Sequence, residues 1–265
     1  MTYPVFELER VGFNYPYGEP LFTDLNLKIT AGEKVCLLGA NGSGKSTLLK
    51  MLCGLVFPHA GRLQAFGTQI DEQLLEDDQF AREYHRRVGF IFQNSEVQLF
   101  TTRVEDEIAF GPLQMGLDLE TVQQRVNDVL KLLRIEHLVE RSPYRLSGGE
   151  KKKVAVAAVL AMNPQVLILD EPTNGLDPKS QRWLIDLLLE LNQAGRTIIT
   201  ATHHLDLAHV ISDRVLVLSE EHELVYDGSA ARLLGNKDLL IQVNLLDEYY
   251  HSHDQGGHFH LYRHG

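Results

Sequence analysis

Cysteine is nearly absent: the 265 residues hold two, Cys36 and Cys53. Two thiols cannot staple a small fold, so a disulfide-dense secreted scaffold is excluded. With no signal peptide read ahead of them, they are expected to be reduced and to act as small apolar packing in a cytosolic protein. Long hydrophobic runs are also missing. No apolar stretch approaches the roughly 20 residues that cross a bilayer as a helix, so any membrane contact is expected to be peripheral or through a partner. Positive charge is scarce too: 25 Lys and Arg against 36 Asp and Glu give a net charge of −11 with His neutral. Nonspecific polyanion binding rests on basic surface that releases counterions, so nucleic acid is not expected among the partners. The 44% hydrophobic content allows a sizeable core, as one large domain or one domain with an insertion.

What is present begins with Gly39-Ala40-Asn41-Gly42-Ser43-Gly44-Lys45-Ser46-Thr47, which satisfies G-x-x-x-x-G-K-[ST] at every specified position. Lys34–Leu38 before it reads as a buried strand, and Thr47–Leu55 after it as a helix, which is the context a phosphate-binding loop requires. Gly39, Gly42 and Gly44 permit backbone conformations that aim successive N–H groups at phosphate oxygens near a helix N-terminus. Lys45 is expected to reach the β- and γ-phosphates of a nucleotide, and the Ser46 hydroxyl to ligate Mg²⁺.

Along the chain, Phe6–Glu9, Val11–Tyr15 and Leu25–Ile29 alternate as antiparallel strands. Residues 71–87 read as a charged, solvated segment with no site. Val88–Gln93 is a buried-strand candidate. Leu119, Val122, Val126, Val129, Leu130 and Leu133 recur at helical spacing behind the N-cap Asp118. Val154–Met162 predicts another helix and Gln165–Leu169 an apolar strand. Asp177-Pro178 starts a helix that Gly195 ends; the strand Thr197–Ala201, a short helix over Leu205–Val210 and a hairpin across Arg214–Tyr226 follow. Strands alternating with helices imply an α/β fold, its mostly parallel sheet covered on both faces.

Two motifs add chemistry. Asp170-Glu171 places adjacent carboxylates where an apolar strand ends, at the edge where such sheets bind ligands. Asp170 suits Mg²⁺, held through water, and Glu171 suits a general base that polarises the attacking water. Leu146-Ser147-Gly148-Gly149-Glu150 opens a second helix with a hydroxyl and free amides, an anion-binding N-terminus.

With these motifs the chain resembles the nucleotide-binding subunit of an ATP-binding cassette (ABC) transporter, over nearly all of residues 3–230. The resemblance implies a P-loop NTPase with a RecA-like, mostly parallel core, an N-terminal antiparallel β subdomain, and a helical subdomain inserted at about residues 94–155. Residues 1–230 would form the ATPase domain and 231–265 an extension. In that family Ser147, Gly148 and Gly149 bind the γ-phosphate of ATP held by the other subunit of a head-to-tail dimer, homodimeric or heterodimeric. Tyr15 resembles the aromatic that stacks on adenine, with Phe13 and Tyr17 as rivals for that role. Gln93 resembles the Mg²⁺-ligating glutamine that senses the membrane partner, Asn174–Asp177 the loop joining the two sites, and His203 the switch histidine at the γ-phosphate. The implied catalytic set is Lys45, Glu171 and His203, with ATP and Mg²⁺ as cofactors. Glu150, His204 and Asn174 depart from the family's commoner Gln, Asp and Ser or Ala, without removing a phosphate, metal or base function.

The stretch Gln93–Phe100 followed by Val104–Pro112 is similar to the segment of energy-coupling-factor importers and their cobalt and nickel branch. Leu99, Phe100 and Phe110 would then line a groove for a membrane partner's helix. The expected function is the ATPase of a cobalt or nickel importer at the cytoplasmic face of the membrane. A vitamin importer and a soluble ABC ATPase acting on nucleic acid or ribosomes are the rivals. Beyond Asp247, His251, His253, His258, His260 and His264 give a tail whose imidazoles suit transition-metal ions.

Overall fold

The computed structural model describes residues 3–246; the histidine-bearing tail lies outside the described residues. β1 (Pro4–Asn14) and β2 (Pro20–Thr30) are paired antiparallel, joined by a turn around Pro16–Gly18. The two alternating segments read before Tyr15 are one strand, irregular where Arg10 takes φ 49°. β3 (Lys34–Leu38) leads through the glycine-rich loop into α1 (Lys45–Leu52), which begins two residues earlier than its apolar pattern indicated. β4 (Ala60–Ala65) and β5 (Thr68–Gln69) were not expected; they complete a four-stranded sheet in the order β2-β1-β4-β5.

The charged stretch 71–87 is two helices, α2 (Glu72–Leu75) and α3 (Asp78–Arg87), capped by Asp71 and Asp77. It is not wholly solvated: Tyr84 is buried and its hydroxyl donates to the Leu52 carbonyl at 2.7 Å, so one aromatic anchors an otherwise polar helix. β6 (Val88–Ile91) ends before Gln93. Three helices lie between it and the next strand: α4 (Val104–Gln114), α5 (Leu119–Leu133) and α6 (Gly148–Leu160). β7 (Val166–Asp170), α7 (Pro178–Gln193), β8 (Thr197–Thr202), α8 (Leu205–Ile211), β9 (Arg214–Leu218) and β10 (Leu224–Gly228) follow. The short α9 (Ala230–Leu234) and α10 (Lys237–Gln242) close the described chain.

The second sheet has six strands in the order β10-β9-β3-β8-β7-β6. All pairs from β9 to β6 are parallel, and only β10 runs antiparallel. β7 and β8 are buried at every residue, as both-faced coverage demands. One apolar cluster fills the space between the antiparallel sheet, α1 and one face of the six-stranded sheet. A second unites α4 to α7 with β6 to β8, and a third packs α8 to α10 on β3 and β9. Leu99 belongs to the second cluster at 5% exposure, so it packs the core and does not line a groove. Phe100 and Phe110 remain exposed, edge to face at 4.8 Å.

Candidate active site

Parallel pairing decides where the chemistry gathers. Leu38 lies opposite Thr202, and Asp170 opposite Ala201, so β3, β7 and β8 end on one edge. The phosphate loop, the two carboxylates and His203 leave the sheet together there, at its carboxyl edge. They line a cleft of about 360 Å³ with Tyr15, Asn41, Gly42, Gly44, Lys45, Ser46, Thr47, Gln93, Asp170, Glu171 and His203 on its walls. Asn174 and Leu21 line it as well; Leu21 gave no sequence signal beyond being an apolar residue near the start of β2.

The loop is built around two close approaches. A Cβ on Gly39 would meet Ser43 Oγ at 2.5 Å and the Leu218 carbonyl at 2.6 Å. Gly44, the N-cap of α1, takes φ 103° with the Phe22 ring 3.0 Å from where a Cβ would sit. No side chain caps α1, so its first N–H groups keep their capacity for an anion. Ser43 is buried and its Oγ has no protein partner. Lys45 is buried too, its Nζ donating to the carbonyls of Gly39 at 2.7 Å and Ala40 at 2.9 Å. Burial pulls its pKa down, while Glu171 and Asp170 push it back up.

Of the three aromatics considered for a base platform, Phe13 is core and Tyr17 is fully exposed. Tyr15 lines the cleft, its ring edge-on to Phe13 at 5.0 Å and its hydroxyl 3.0 Å from Thr47 Oγ1.

Asp170 is the last residue of β7 and Glu171 follows the strand, and both line the cleft. Burial raises the Asp170 pKa, with the Ser46 hydroxyl opposing, and Asp170 Oδ1 is a buried acceptor without a partner. Glu171 sits just past β7 at φ 42°, a conformation that costs a side-chain-bearing residue about 1 kcal/mol or more. Its N–H donates to the Ala201 carbonyl at 2.9 Å, which ties it to β8. Glu171 Oε1 meets His203 Nδ1 at 2.7 Å, and Oε2 accepts from Thr202 Oγ1 at 3.2 Å. Thr202 carried no sequence signal. Its hydroxyl also accepts from the His204 N–H at 3.2 Å, so it orients both neighbours of His203. The rings of His203 and His204 stand 4.0 Å apart, and burial together with the adjacent imidazole lowers the His204 pKa.

Ser147, Gly148 and Gly149 are not in this cleft; Ser147 and Gly148 are exposed at the start of α6. Ser147 and Glu150 form a capping box, which a Gln at 150 would also close. The Ser147 N–H and hydroxyl both approach Glu150 Oε2 at 2.8 Å, and the Glu150 N–H donates to Ser147 Oγ at 3.4 Å. Further along α6, the buried Lys152 donates to the Phe92 carbonyl at 3.2 Å, one residue before Gln93. Burial lowers its pKa to about 8. Asp177 caps α7, accepting from the N–H groups of Lys179 and Ser180 and from Ser180 Oγ at 2.6 Å.

A phosphate loop beside paired carboxylates on the edge of a parallel sheet defines the class, a P-loop nucleoside triphosphatase. Residues 22–174, more than half of the chain, match the ABC transporter family, and the chain belongs to it as an ATP-binding ABC-type ATPase. It is similar to the nickel import ATP-binding protein NikO of Rhodobacter capsulatus, 47% identical over 246 residues covering 92% of this chain and 96% of NikO. Among solved structures it is similar to CbiO1 of Clostridium perfringens, described as part of the ABC transporter complex CbiONQ. That match has TM-score 0.79 and 35% identity, over 91% of this chain and 95% of the other. The dimeric post-hydrolysis state of the cassette MJ0796, bound to ADP and phosphate, matches at TM-score 0.75 and 28% identity, over 85% and 98%. No helix among the described residues is long and apolar enough to cross a membrane.

Proposed function

We propose that this chain is the ATP-hydrolysing subunit of a membrane importer for a transition-metal ion, cobalt or nickel. It would work as one of two cassettes that close head to tail on two ATP molecules. The observation that carries the dimer reading is the separation of the site: the cleft holds the phosphate loop, Asp170, Glu171 and His203, while Ser147 and Gly148 face solvent elsewhere. A second copy would supply its exposed α6 terminus to the phosphate end of this cleft. The likeness to the nickel import protein NikO supports a transition-metal cargo, and the likeness to CbiO1 supports work within a transporter complex.

In this reading Tyr15 stacks on the adenine and the uncapped start of α1, with Asn41, Gly42, Ser43 and Gly44, cradles the phosphates. Lys45 exchanges its two loop carbonyls for phosphate oxygens, which a desolvated ammonium favours. Glu171 accepts a proton from water as the water oxygen bonds to the γ-phosphorus and the bond to the β-phosphate oxygen breaks, releasing ADP and phosphate. His203, already hydrogen-bonded to Glu171, orients the carboxylate and reaches the γ-phosphate on closure. The site also fits Mg²⁺: Asp170 offers a buried acceptor oxygen with no partner, and the Ser46 hydroxyl and Gln93 amide are hard oxygen donors on the same cleft. When bound, Mg²⁺ neutralises charge on the β- and γ-phosphates. The exposed pair Phe100 and Phe110 offers an apolar contact for the membrane partner at the cytoplasmic face, and the Lys152 bond to Phe92 links that region to α6.

The test is uptake of radioactive Ni²⁺ and Co²⁺ by cells carrying this chain with its membrane components. Uptake that disappears with Glu171→Gln supports the reading, and undiminished metal uptake in cells lacking the chain would sink it. Dependence of vitamin uptake on the chain, with metal uptake unchanged, would replace the cargo and leave the ATPase standing.

A further inference from the structure

Glu171, His203 and His204 each offer one ligand atom, and these three atoms lie within 4.8 Å of one another. We propose that they form a binding site for a borderline divalent transition-metal ion, Ni²⁺, Co²⁺ or Zn²⁺, and that an ion held there stops ATP hydrolysis.

Two imidazoles and one carboxylate are the donor set that such ions select over Mg²⁺, which prefers oxygen alone. With metal–ligand bonds of about 2.0–2.2 Å, donors on one tetrahedral ion stand about 3.3 Å apart. The His203–Glu171 distance of 2.7 Å must open slightly, and the widest separation must close. Rotation of the exposed His204 side chain supplies that adjustment without moving the backbone. The carboxylate is already oriented from behind: the buried Thr202 hydroxyl donates to Glu171 Oε2 and accepts from the His204 N–H. Outer hydrogen bonds of this kind fix metal ligands and strengthen binding. His204 is exposed, which leaves the ion an entry path from solvent.

The consequence follows from shared atoms. An ion on Glu171 Oε1 replaces the His203 hydrogen bond and withdraws the lone pair that would accept the proton of the attacking water. His203 is engaged by the ion at the same time and no longer free for its proposed contact with the γ-phosphate. Hydrolysis would therefore fall as free transition-metal ion rises. The metal site itself does not depend on the cargo of the transporter; the inhibition rests on the proposed role of Glu171.

The experiment uses the full-length chain stripped with EDTA, wild type beside His204→Asn, titrated with Co²⁺ alone and without nucleotide. The tail histidines are common to both proteins, so the difference between them counts the site. Wild type is expected to bind one more Co²⁺ per chain, with a visible absorption band that the variant lacks. In Mg-ATP turnover, His204→Asn is expected to hydrolyse like wild type without added metal and to need about tenfold more Zn²⁺ for half-inhibition. EDTA should restore wild-type turnover. Equal Co²⁺ counts and superimposable spectra overturn the site. A lost site with unchanged Zn²⁺ inhibition overturns the inhibition. Absence of basal turnover in both proteins is a failure of the catalytic reading, and the Co²⁺ count still decides the site.

Discussion

Two helix N-termini in this molecule answer the same physical problem in opposite ways. The start of α1 follows Gly44 in a left-handed conformation with no side-chain cap, and its Lys45 is buried against its own loop. The start of α6 is exposed and closed by the reciprocal Ser147–Glu150 bonds. Free amides at a helix start are costly unless something takes them. At α1 the cleft is shaped for a ligand that takes them, while α6 satisfies itself and needs nothing bound to be stable. On the proposed head-to-tail dimer, the difference separates the half of the nucleotide site that one chain completes from the half that it presents outward.

The strongest way to break the comparison is Glu171→Gln, which leaves both termini intact. Removing the base is expected to lower turnover by about 10²–10⁴-fold with ATP binding kept, measured by phosphate release and nucleotide titration. Near-normal turnover would remove Glu171 from the chemistry. Lys45→Ala strikes the α1 terminus alone, and kcat/KM for ATP is expected to fall about 10²–10³-fold through weaker binding as well as slower chemistry. Lys45 Nζ donates to two carbonyls of its own loop and is held by the charges of Glu171 and Asp170, so a modest fall in melting temperature should accompany the much larger kinetic loss. Unchanged ATP affinity would mean that the phosphates lie elsewhere.

Lys152 sharpens the comparison through stability. Its folded pKa of about 8 lies below the ordinary lysine value of 10.5, so between those pH values the unfolded chain holds a proton that the folded chain has released. Stability therefore rises with pH across that window, by an amount on the order of 3 kcal/mol if the whole shift is expressed. Denaturant unfolding of wild type against Lys152→Met should show this rise only in wild type; parallel pH profiles would refute the buried-ammonium picture. The smallest effect is expected from Glu150→Gln. Gln still accepts from Ser147, but a negative charge leaves the α6 terminus, so stability should drop by about 0.3–1 kcal/mol. The same change removes repulsion toward an incoming phosphate, and KM for ATP should fall a few-fold. A rise in KM would place the nucleotide away from α6.

Much of the site was legible because it is local. A phosphate loop needs glycines, a lysine and a hydroxyl in one contiguous run, and the Asp170-Glu171 pair ends a strand whose apolar run is unmistakable. The N-caps at Asp118 and Asp177 were legible for the same reason, since a cap is made within three residues. Elements held by distant partners were not. β4 buries only Leu63 and Ala65, and it is a strand because β1 lies beside it from Phe6 to Gly12. α4 lies in the stretch expected to be helical, but its bounds were not read; it runs through Gly111-Pro112 because Val104, Ile108 and Pro112 are buried and packing keeps the helix intact. Leu99 looked like a docking residue because an apolar side chain in a connecting segment does not announce which way it points; tertiary packing turned it inward.

By itself the sequence determined the loop chemistry, the strand-end carboxylates, the N-caps at Asp118 and Asp177 and the membership in a phosphate-handling class, since each depends on neighbours a few residues apart. Only the tertiary structure decided that Tyr15, and not Phe13 or Tyr17, faces the cleft, and that Thr202 holds Glu171. It alone brought His203 and His204 against a carboxylate 32 residues away from the first of them. The physical reason is parallel pairing: β7 and β8 run side by side in register, so their ends meet at one edge however much chain lies between them.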